Sequence, residues 1–262
     1  MESVVVETVR RLRAAGCVFA EDEAAMLIEA VGEPAGKGTE DRLWELVRRR
    51  ADGEPLEQVV GYADFCGIRV RLRPGVFVPR VRSEFLVRIA AAKAHGKETV
   101  VDLCCGSGAL GLAFVHLVPG ADLYAADSDP AAVACAKDNI GGQVFAGDLF
   151  DALPGHLRGQ VDILLANVPY VATRHIPFLP AEARLHEPQT ALDGGDDGLD
   201  VFRAVLDGAG AWLRPGGLLL SEITEAQIDV AMGLVRAAGL YPEVHHEDDL
   251  EATVVTAHRL NR

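Results

Sequence analysis

The sequence lacks a long hydrophobic run. No apolar stretch reaches the roughly 18 residues that a membrane-spanning helix needs. Hydrophobic residues still make up 49% of the 262 positions and charged residues 24%, which is the composition of an ordinary globular protein. We therefore expect no membrane partner, and the length predicts one large α/β domain with a smaller additional unit.

Cysteine is also scarce, and its number is odd. The five cysteines show no zinc-type spacing, and no set of disulfides can pair all of them. The pair His245-His246 precedes three acidic residues, but we place it on a loop, where adjacent side chains point in different directions and cannot share a metal ion. The sequence therefore predicts no bound metal and a reduced, cytoplasmic protein.

Basic residues are outnumbered, since 25 Lys and Arg face 39 Asp and Glu for a formal net charge of -14. This balance argues against a protein whose main task is to bind a nucleic-acid backbone. Residues 63–98 differ, with 8 basic and 3 acidic side chains. Arg69, Arg71 and Arg73 alternate there with apolar residues at the period of a strand. This basic strip is either a solvated strand face or a docking surface for an acidic partner.

The chain divides into three predicted parts. Apolar residues at helical spacing predict a small helical unit that ends near Gly61, with a turn-rich break at residues 32–41. A short β-hairpin follows over residues 62–80, with its turn predicted at residues 73–75. From residue 99 onward, short aliphatic runs alternate with helical stretches, which is typical of βαβ units and a mostly parallel sheet.

A glycine-rich turn follows the first strand of this third part. In "VVDLCCGSGALGLAF", Gly106, Gly108 and Gly111 have the spacing of a dinucleotide-binding loop, whose glycines let the backbone approach a ligand. Asp102 puts a carboxylate four residues before Gly106, where a pyrophosphate gains nothing from it. A carboxylate there suits a ligand that carries an ammonium and a sulfonium. The loop therefore predicts S-adenosylmethionine rather than NAD.

Two further acids end the next two predicted strands. Asp127 can accept hydrogen bonds from both ribose hydroxyls of the cofactor, and Asp148 lies where the edge of its adenine passes. Together with Asp102 they place three acids at the carboxyl ends of successive strands. Open α/β sheets bind their ligands at that edge.

Three separated segments resemble one enzyme family. "NVPY" (167–170) is similar to the Asn-Pro-Pro-Tyr motif of methyltransferases that act on planar amide or amine nitrogens. "VPRVRSE" (78–84) resembles the segment Ile-Pro-Arg-Pro-Asp-Thr-Glu, and "EPQTALDGGDDGLD" (187–200) resembles a Glu-Pro segment before a Gly- and Asp-rich loop. The three occur in the order found in HemK/PrmC-type protein-(glutamine-N5) methyltransferases. The resemblance runs from about Gly61 to the last residue.

The resemblance implies a seven-stranded, Rossmann-like class I methyltransferase domain over residues 81–262, a β-hairpin linker over 62–80 and a helical substrate-recognition domain over 1–61. It implies methyl transfer from S-adenosylmethionine, with S-adenosylhomocysteine as product, to a glutamine side-chain nitrogen of a release factor or ribosomal protein. The implied cofactor-binding residues are Asp102, Cys104, Cys105, Gly106, Ser107, Gly108, Asp127, Asp148, Leu149 and Asn167. The implied catalytic and substrate-binding residues are Asn167, Val168, Pro169 and Tyr170, joined in substrate binding by Arg80 and Glu187.

The chemistry of an amide explains the residue types in "NVPY". An amide nitrogen is a poor nucleophile because its lone pair is delocalised, and methylation builds positive charge on it. The side-chain oxygen of Asn167 and the backbone carbonyl of Val168 can accept its two N–H groups and gain strength as that charge develops. Pro169 stiffens the turn. Tyr170 offers a ring face against which a planar amide packs.

The chain departs from the family pattern at three places. Val168 replaces the first proline, Cys104-Cys105 replaces Gly-Thr, and Val81-Arg82 replaces Pro-Asp. These departures indicate a paralogue with its own substrate. Two other functions remain open at this point: an adenine-N6 nucleic-acid methyltransferase, which uses the same tetrapeptide, and a non-catalytic module that only binds S-adenosylmethionine.

Overall fold

The computed structural model describes residues 2–32 and 37–261. Its helices are α1 (Glu2–Ala14), α2 (Ala20–Val31), α3 (Lys37–Ala51), α4 (Leu56–Val60), α5 (Glu84–Ala92), α6 (Ala109–Leu117), α7 (Pro130–Ile140), α8 (Ala181–His186), α9 (Asp200–Trp212) and α10 (Ile228–Ala237). Its strands are β1 (Tyr62–Phe65), β2 (Ile68–Arg71), β3 (Thr99–Leu103), β4 (Asp122–Asp127), β5 (Val144–Ala146), β6 (Val161–Ala166), β7 (Leu213–Ile223), β8 (Tyr241–Glu247) and β9 (Ala252–His258). None of the helices in the described ranges is long and apolar enough to cross a bilayer.

The first four helices pack around a small core of their own. Leu43 and Val47 are buried in it, and because they are four residues apart they lie on one face of α3. The helical character predicted for this part is confirmed. Helix α3 begins at Lys37, inside the predicted break at 32–41, and residues 33–36 of that break lie outside the described part of the chain.

The hairpin that follows has its turn earlier than the sequence suggested. Strands β1 and β2 pair antiparallel with Phe65 opposite Ile68, so the two turn residues are Cys66 and Gly67. Both have positive φ, 49° and 74°, as the tight two-residue turn of a hairpin requires. A turn does exist at the predicted position, where the Val76 N–H donates to the Arg73 carbonyl at 3.2 Å, but it follows β2. The prediction that this turn joins the two strands was wrong, because Cys66 carries no sequence signal for a left-handed backbone.

Seven strands form one sheet in the order β5-β4-β3-β6-β7-β9-β8. Strands β3 to β7 pair in parallel, and β9 runs antiparallel to both of its neighbours. The predicted α/β class with a seven-stranded, mostly parallel sheet is confirmed. The strand order reverses between β3 and β6, and the crevice at such a switch point is where open α/β sheets bind ligands.

The edge strand β8 was not predicted. It contains His245 and His246, so their assignment to a loop was wrong. Neighbouring residues of a strand face opposite sides of the sheet. The two imidazoles accordingly contact different hydroxyls, those of Thr256 and Thr253, each at 3.3 Å.

Strand β6 lies in the middle of the sheet because it is apolar on both faces. Ile163 and Leu165 belong to the core on one side, and Leu164 and Ala166 to the core on the other. Asn167 comes directly after this strand. The two cores therefore fix the backbone that presents Asn167 at the switch point.

Helix α6 approaches the sheet through a glycine, and this contact can be tested. A Cβ on Gly111 would lie 2.8 Å from Leu123 Cδ1 and 3.1 Å from Asp102 Oδ2. Gly111→Ala is therefore expected to lower the free energy of unfolding by about 1–3 kcal/mol, the usual cost of overpacking.

Gly233 in α10 is the matched control, because a Cβ there meets nothing within 4 Å. Gly233→Ala should raise the unfolding free energy by up to about 1 kcal/mol through helix propensity. Urea denaturation of both variants checks the pair. Equal effects at the two positions would contradict the close packing of α6.

Candidate active site

A cleft of about 680 Å³ lies at the carboxyl ends of β3, β4 and β6. Most residues predicted for the site line it together: Arg80, Asp102, Cys104, Cys105, Gly106, Ser107, Asp127, Asp148, Leu149, Asn167, Val168, Pro169 and Tyr170. Gly108 and Glu187 do not. The cleft therefore brings the glycine loop and the "NVPY" turn to one cavity, with a volume that is normal for a small-molecule site.

Hydrogen bonds to residues outside the glycine loop fix its backbone. The Gly106 N–H donates to Asp127 Oδ2 at 2.8 Å, and the Asn139 side chain donates to the Ser107 carbonyl at 2.9 Å. Gly108 ends the loop at φ 78°, and a Cβ on it would lie 2.6 Å from Ile140 Cδ1. Gly108 therefore shapes the turn and its packing, while its neighbours face the cleft.

Two of the predicted acids are largely removed from water. Asp102 accepts the Gly111 N–H at 2.9 Å and is 1% exposed, and burial raises the pKa of its carboxyl to about 8. Burial also raises the pKa of Asp127, although the N–H groups of Asp129 and Gly106 oppose that rise. A cationic or hydroxyl-bearing ligand stabilises carboxyl groups that are shielded from water in this way. Such a ligand is the one that the sequence predicted.

The cleft contains backbone strain at two non-glycine residues. Cys104 has φ 54° and Leu149 has φ 42°, both in the left-handed region, and both line the cavity. Such residues persist only where the surroundings force them, and they are typical of ligand sites. Burial raises the pKa of the Cys104 thiol to about 12, so this thiol is uncharged at neutral pH and acts by its size.

Asn167 is held by one end of its side-chain amide. Its Nδ2 donates to Ser83 Oγ at 3.1 Å. Its Oδ1 is buried and has no hydrogen-bond partner within the described part of the chain. Buried polar atoms are nearly always paired, so an unpaired acceptor on a residue that lines a cleft indicates a site for a donor.

A buried carboxylate connects the remaining polar groups at this wall. Glu222 accepts from Ser83 Oγ at 2.6 Å, from the Tyr170 hydroxyl at 2.5 Å and from Arg82 Nε at 2.8 Å. Arg82 also donates to the Tyr170 hydroxyl at 2.7 Å. Burial and the adjacent Glu222 raise the pKa of Tyr170, so its hydroxyl keeps its proton. Arg82, a departure from the family pattern, thus joins this network.

The turn after Asn167 is enclosed by the Gly- and Asp-rich loop. A Cβ on Gly194 would lie 2.6 Å from the Pro169 carbonyl, and Gln227 donates to the Tyr170 carbonyl at 3.0 Å. Val171 forms a parallel bridge with Asp193. Glycine in that loop therefore permits a backbone contact that fixes the "NVPY" turn.

Glu187 lies behind the cleft wall instead of lining it. Its buried carboxylate accepts from Arg80 at 2.5 Å and from the Val78 N–H at 3.2 Å. Arg80 itself lines the cavity. This ion pair connects the two chain segments on either side of the cleft entrance. Arg80 can therefore contact the substrate, whereas Glu187 cannot do so in this position.

Sequence analysis missed three side chains of this site: Ser83, Glu222 and Gln227. Ser83 lies inside the quoted segment "VPRVRSE" and carried no assigned role. Glu222 ends the aliphatic run "GGLLLSE", and a charged residue at the carboxyl end of a buried strand was a usable signal. Gln227 gave none.

The basic strip is largely paired within the protein. Arg69 donates to Asp64 at 3.2 Å and to Glu29 at 2.9 Å, and Arg73 donates to Asp138 at 2.7 Å. Exposed pairs of this kind contribute little stability, but they remove the free charge on which a docking surface depends. The structure therefore favours a solvated strand face.

Comparison with known proteins identifies the family. The model of the methyltransferase small domain matches residues 67–196. A release factor glutamine methyltransferase from Moorella thermoacetica is 37% identical over 259 residues, covering 90% of this chain and 89% of the relative. The chain belongs to the release factor glutamine methyltransferase family. It is a methyltransferase whose methyl donor is S-adenosylmethionine.

Another relative has a different name. The 4-amino-L-phenylalanine/4-methylamino-L-phenylalanine methyltransferase of Streptomyces pristinaespiralis is 37% identical over 208 residues, covering 76% of this chain and 70% of the relative. Among solved structures, a methyltransferase from Pyrococcus furiosus has a TM-score of 0.57 at 14% identity, covering 74% of this chain and 90% of the other. That likeness shows the fold. The residues present also fit the donor, since the buried Asp102, the half-buried Asp127 and a glycine loop line the cleft.

The first prediction of this site concerns its ligand. S-adenosylhomocysteine at about 100 times its dissociation constant should add about 2.7 kcal/mol to the free energy of unfolding, because it binds only the folded chain. NAD should add nothing, because Asp102 disfavours a pyrophosphate. Thermal melts with each ligand check this. A melt shifted by NAD alone would contradict the assignment of the cleft.

The second prediction of this site concerns how the free energy of unfolding depends on pH. The pKa of Asp102 is about 8 in the folded chain, against about 3.9 for an unfolded aspartate, so between these values the folded state holds one more proton. Its contribution to stability is present below pH 4 and is lost as pH rises to 8. Asp102→Asn should therefore gain stability over wild type across that range and level off above it. If the unfolding free energies of wild type and Asp102→Asn changed with pH in parallel, this would contradict a buried carboxyl that titrates in this range.

Proposed function

We propose that this methyltransferase modifies the side-chain amide nitrogen of a glutamine in a protein of the release-factor class. The observation that carries the proposal is the buried, unpaired Oδ1 of Asn167 on the cleft wall. It supplies an acceptor for an N–H group, which a glutamine amide offers and a carboxylate does not. The names of several relatives, among them the one from Moorella thermoacetica, support the glutamine acceptor.

When bound, S-adenosylmethionine supplies an electrophilic methyl group on its sulfonium. Asn167 Oδ1 and the Val168 carbonyl accept the two N–H groups of the acceptor amide and turn its nitrogen toward that methyl group. Both bonds strengthen as positive charge develops on the nitrogen, so they favour the transition state over the ground state. The methylated nitrogen sheds its proton readily, and the site needs no strong base.

The remaining groups hold the geometry and exclude water. Tyr170 keeps its proton because burial and Glu222 raise the pKa of its hydroxyl against the opposing effect of Arg82, and it presents its ring to the amide plane. Asp102 and Asp127 bind the ammonium and ribose of the donor. Arg80, held by Glu187, lines the entrance where the substrate chain passes.

The helical unit contacts a residue of the cleft wall. Arg50 at the end of α3 pairs with Glu23 at 2.6 Å and with Glu182 at 2.5 Å, and Glu182 lines the cleft. The unit therefore adjoins the cleft wall. This contact supports substrate recognition by residues 1–61, and the proposal keeps a linker over 62–80 and catalysis over 81–262. A substrate of the release-factor class implies a cytoplasmic enzyme.

A nucleic-acid acceptor is not favoured. Arg69 and Arg73 of the basic strip are paired, and the relative from Moorella thermoacetica is named for a protein substrate. A free arylamine is the sharper rival, because the relative from Streptomyces pristinaespiralis is named for one.

Mass spectrometry separates these acceptors. A bacterial lysate treated with the enzyme and isotopically labelled methyl donor should yield a protein peptide whose label lies on a glutamine side chain. 4-Amino-L-phenylalanine, supplied in parallel, should remain unlabelled. Label on the arylamine with none on any glutamine would overturn the proposal while leaving the methyltransferase assignment intact.

The role of Asn167 gives a direct test in the same assay. Asn167→Ala should lower methyl transfer by roughly 10² or more, the usual cost of removing one oxyanion-hole-type partner. Affinity for S-adenosylhomocysteine should stay within a few-fold, since Asn167 serves the acceptor. Near-normal turnover of the variant would refute this role.

A further inference from the structure

We infer that Glu222 and Ser83 determine which end of the Asn167 amide faces the cleft, and so make Ser83 a positioning residue for the acceptor nitrogen. Glu222, Ser83 and Asn167 form a connected chain, which we call the orienting triad. The distances are 2.6 Å from Ser83 Oγ to Glu222 Oε2 and 3.1 Å from Asn167 Nδ2 to Ser83 Oγ. The inference rests on the proposed function and deepens it.

The number of hydrogens fixes every bond in the orienting triad. An ionised carboxylate only accepts, so the single hydroxyl hydrogen of Ser83 is committed to Glu222. Ser83 can then offer Asn167 only a lone pair. The Asn167 amide must therefore give its NH₂ end to Ser83, and its oxygen is the end that stays free.

The other bonds to Glu222 keep its carboxylate in the acceptor role. Arg82 donates to Oε1 and also to the Tyr170 hydroxyl, which leaves the Tyr170 hydrogen for Oε1 as well. Three donors, one of them a guanidinium, thus converge on one buried carboxylate that is 2% exposed. The hydroxyls of Ser83 and Tyr170 also carry lone pairs, but an ionised carboxylate has no hydrogen to donate to them, so the direction of these hydrogen bonds is kept.

The direction of these hydrogen bonds determines which atom of the acceptor amide the site binds. With Nδ2 bonded to Ser83, Oδ1 is the end of the Asn167 amide left for the acceptor, and it attracts a nitrogen that carries hydrogens and repels a carbonyl oxygen. A rotated amide would present NH₂ to the NH₂ of glutamine, which is a like-for-like contact that costs binding at the reacting end. The orienting triad therefore distinguishes the nitrogen of the acceptor amide from its oxygen.

A double-mutant cycle on the substrate that wild type methylates tests this. Ser83→Ala should lower kcat about tenfold, because the Asn167 amide loses the partner that orients it. Ser83→Thr keeps a hydroxyl and should restore at least half of the loss on a logarithmic scale. In an Asn167→Ala background, Ser83→Ala should change kcat less than twofold, since it acts through the missing amide.

The melting temperature without ligand follows the stability of each variant, and the added shift from S-adenosylhomocysteine should show cofactor affinity within a few-fold of wild type. Equal losses from Ser83→Ala with and without Asn167 would overturn the inference, because they would show a structural effect independent of the amide. A Ser83→Ala enzyme with wild-type kcat would overturn it too. Neither result touches the proposed function, which fails only if wild type labels no glutamine.

Discussion

The buried carboxylate of Glu222 is the constraint on which the acceptor side of the cleft depends. It lies at the end of β7, next to the strand that carries Asn167, and it accepts hydrogen bonds from Ser83, Tyr170 and Arg82. A buried charge is expensive unless each lone pair is used. Satisfying this carboxylate brings the segment after the hairpin, the "NVPY" turn and the sheet into one arrangement. The free oxygen of Asn167 is a consequence of that arrangement.

The side of the cleft that binds the methyl donor is stabilised in a different way. Asp102 and Asp127 are held by backbone N–H groups and face no cationic side chain in those bonds, and burial raises the pKa of both. This arrangement costs folding stability, and a ligand with an ammonium and ribose hydroxyls offsets it. The acceptor side is thus satisfied by the protein itself except at one oxygen. The donor side is completed by the cofactor.

Local sequence predicted what local rules determine. The aliphatic run before Asn167 predicted a buried strand, the glycine loop predicted a ligand turn, and the spacing of strands and helices predicted the sheet. The hairpin turn was misplaced because Cys66 adopts a positive φ that its residue type does not announce. Strand β8 was missed because an edge strand with polar residues has no clear alternation. The bond between Ser83 and Glu222 joins residues 139 positions apart, and no local pattern encodes such a pairing.

The central claim is that Asn167 presents its oxygen to the acceptor nitrogen because Ser83 and Glu222 leave it no alternative. A neutron crystal structure with S-adenosylhomocysteine and a glutamine-containing peptide tests it directly, since deuterium positions distinguish amide nitrogen from oxygen. The glutamine Nε2 should lie about 3 Å from Asn167 Oδ1, with both Nδ2 deuterium atoms visible and one pointing at Ser83. Deuterium atoms of Asn167 pointing at the glutamine carbonyl would contradict it.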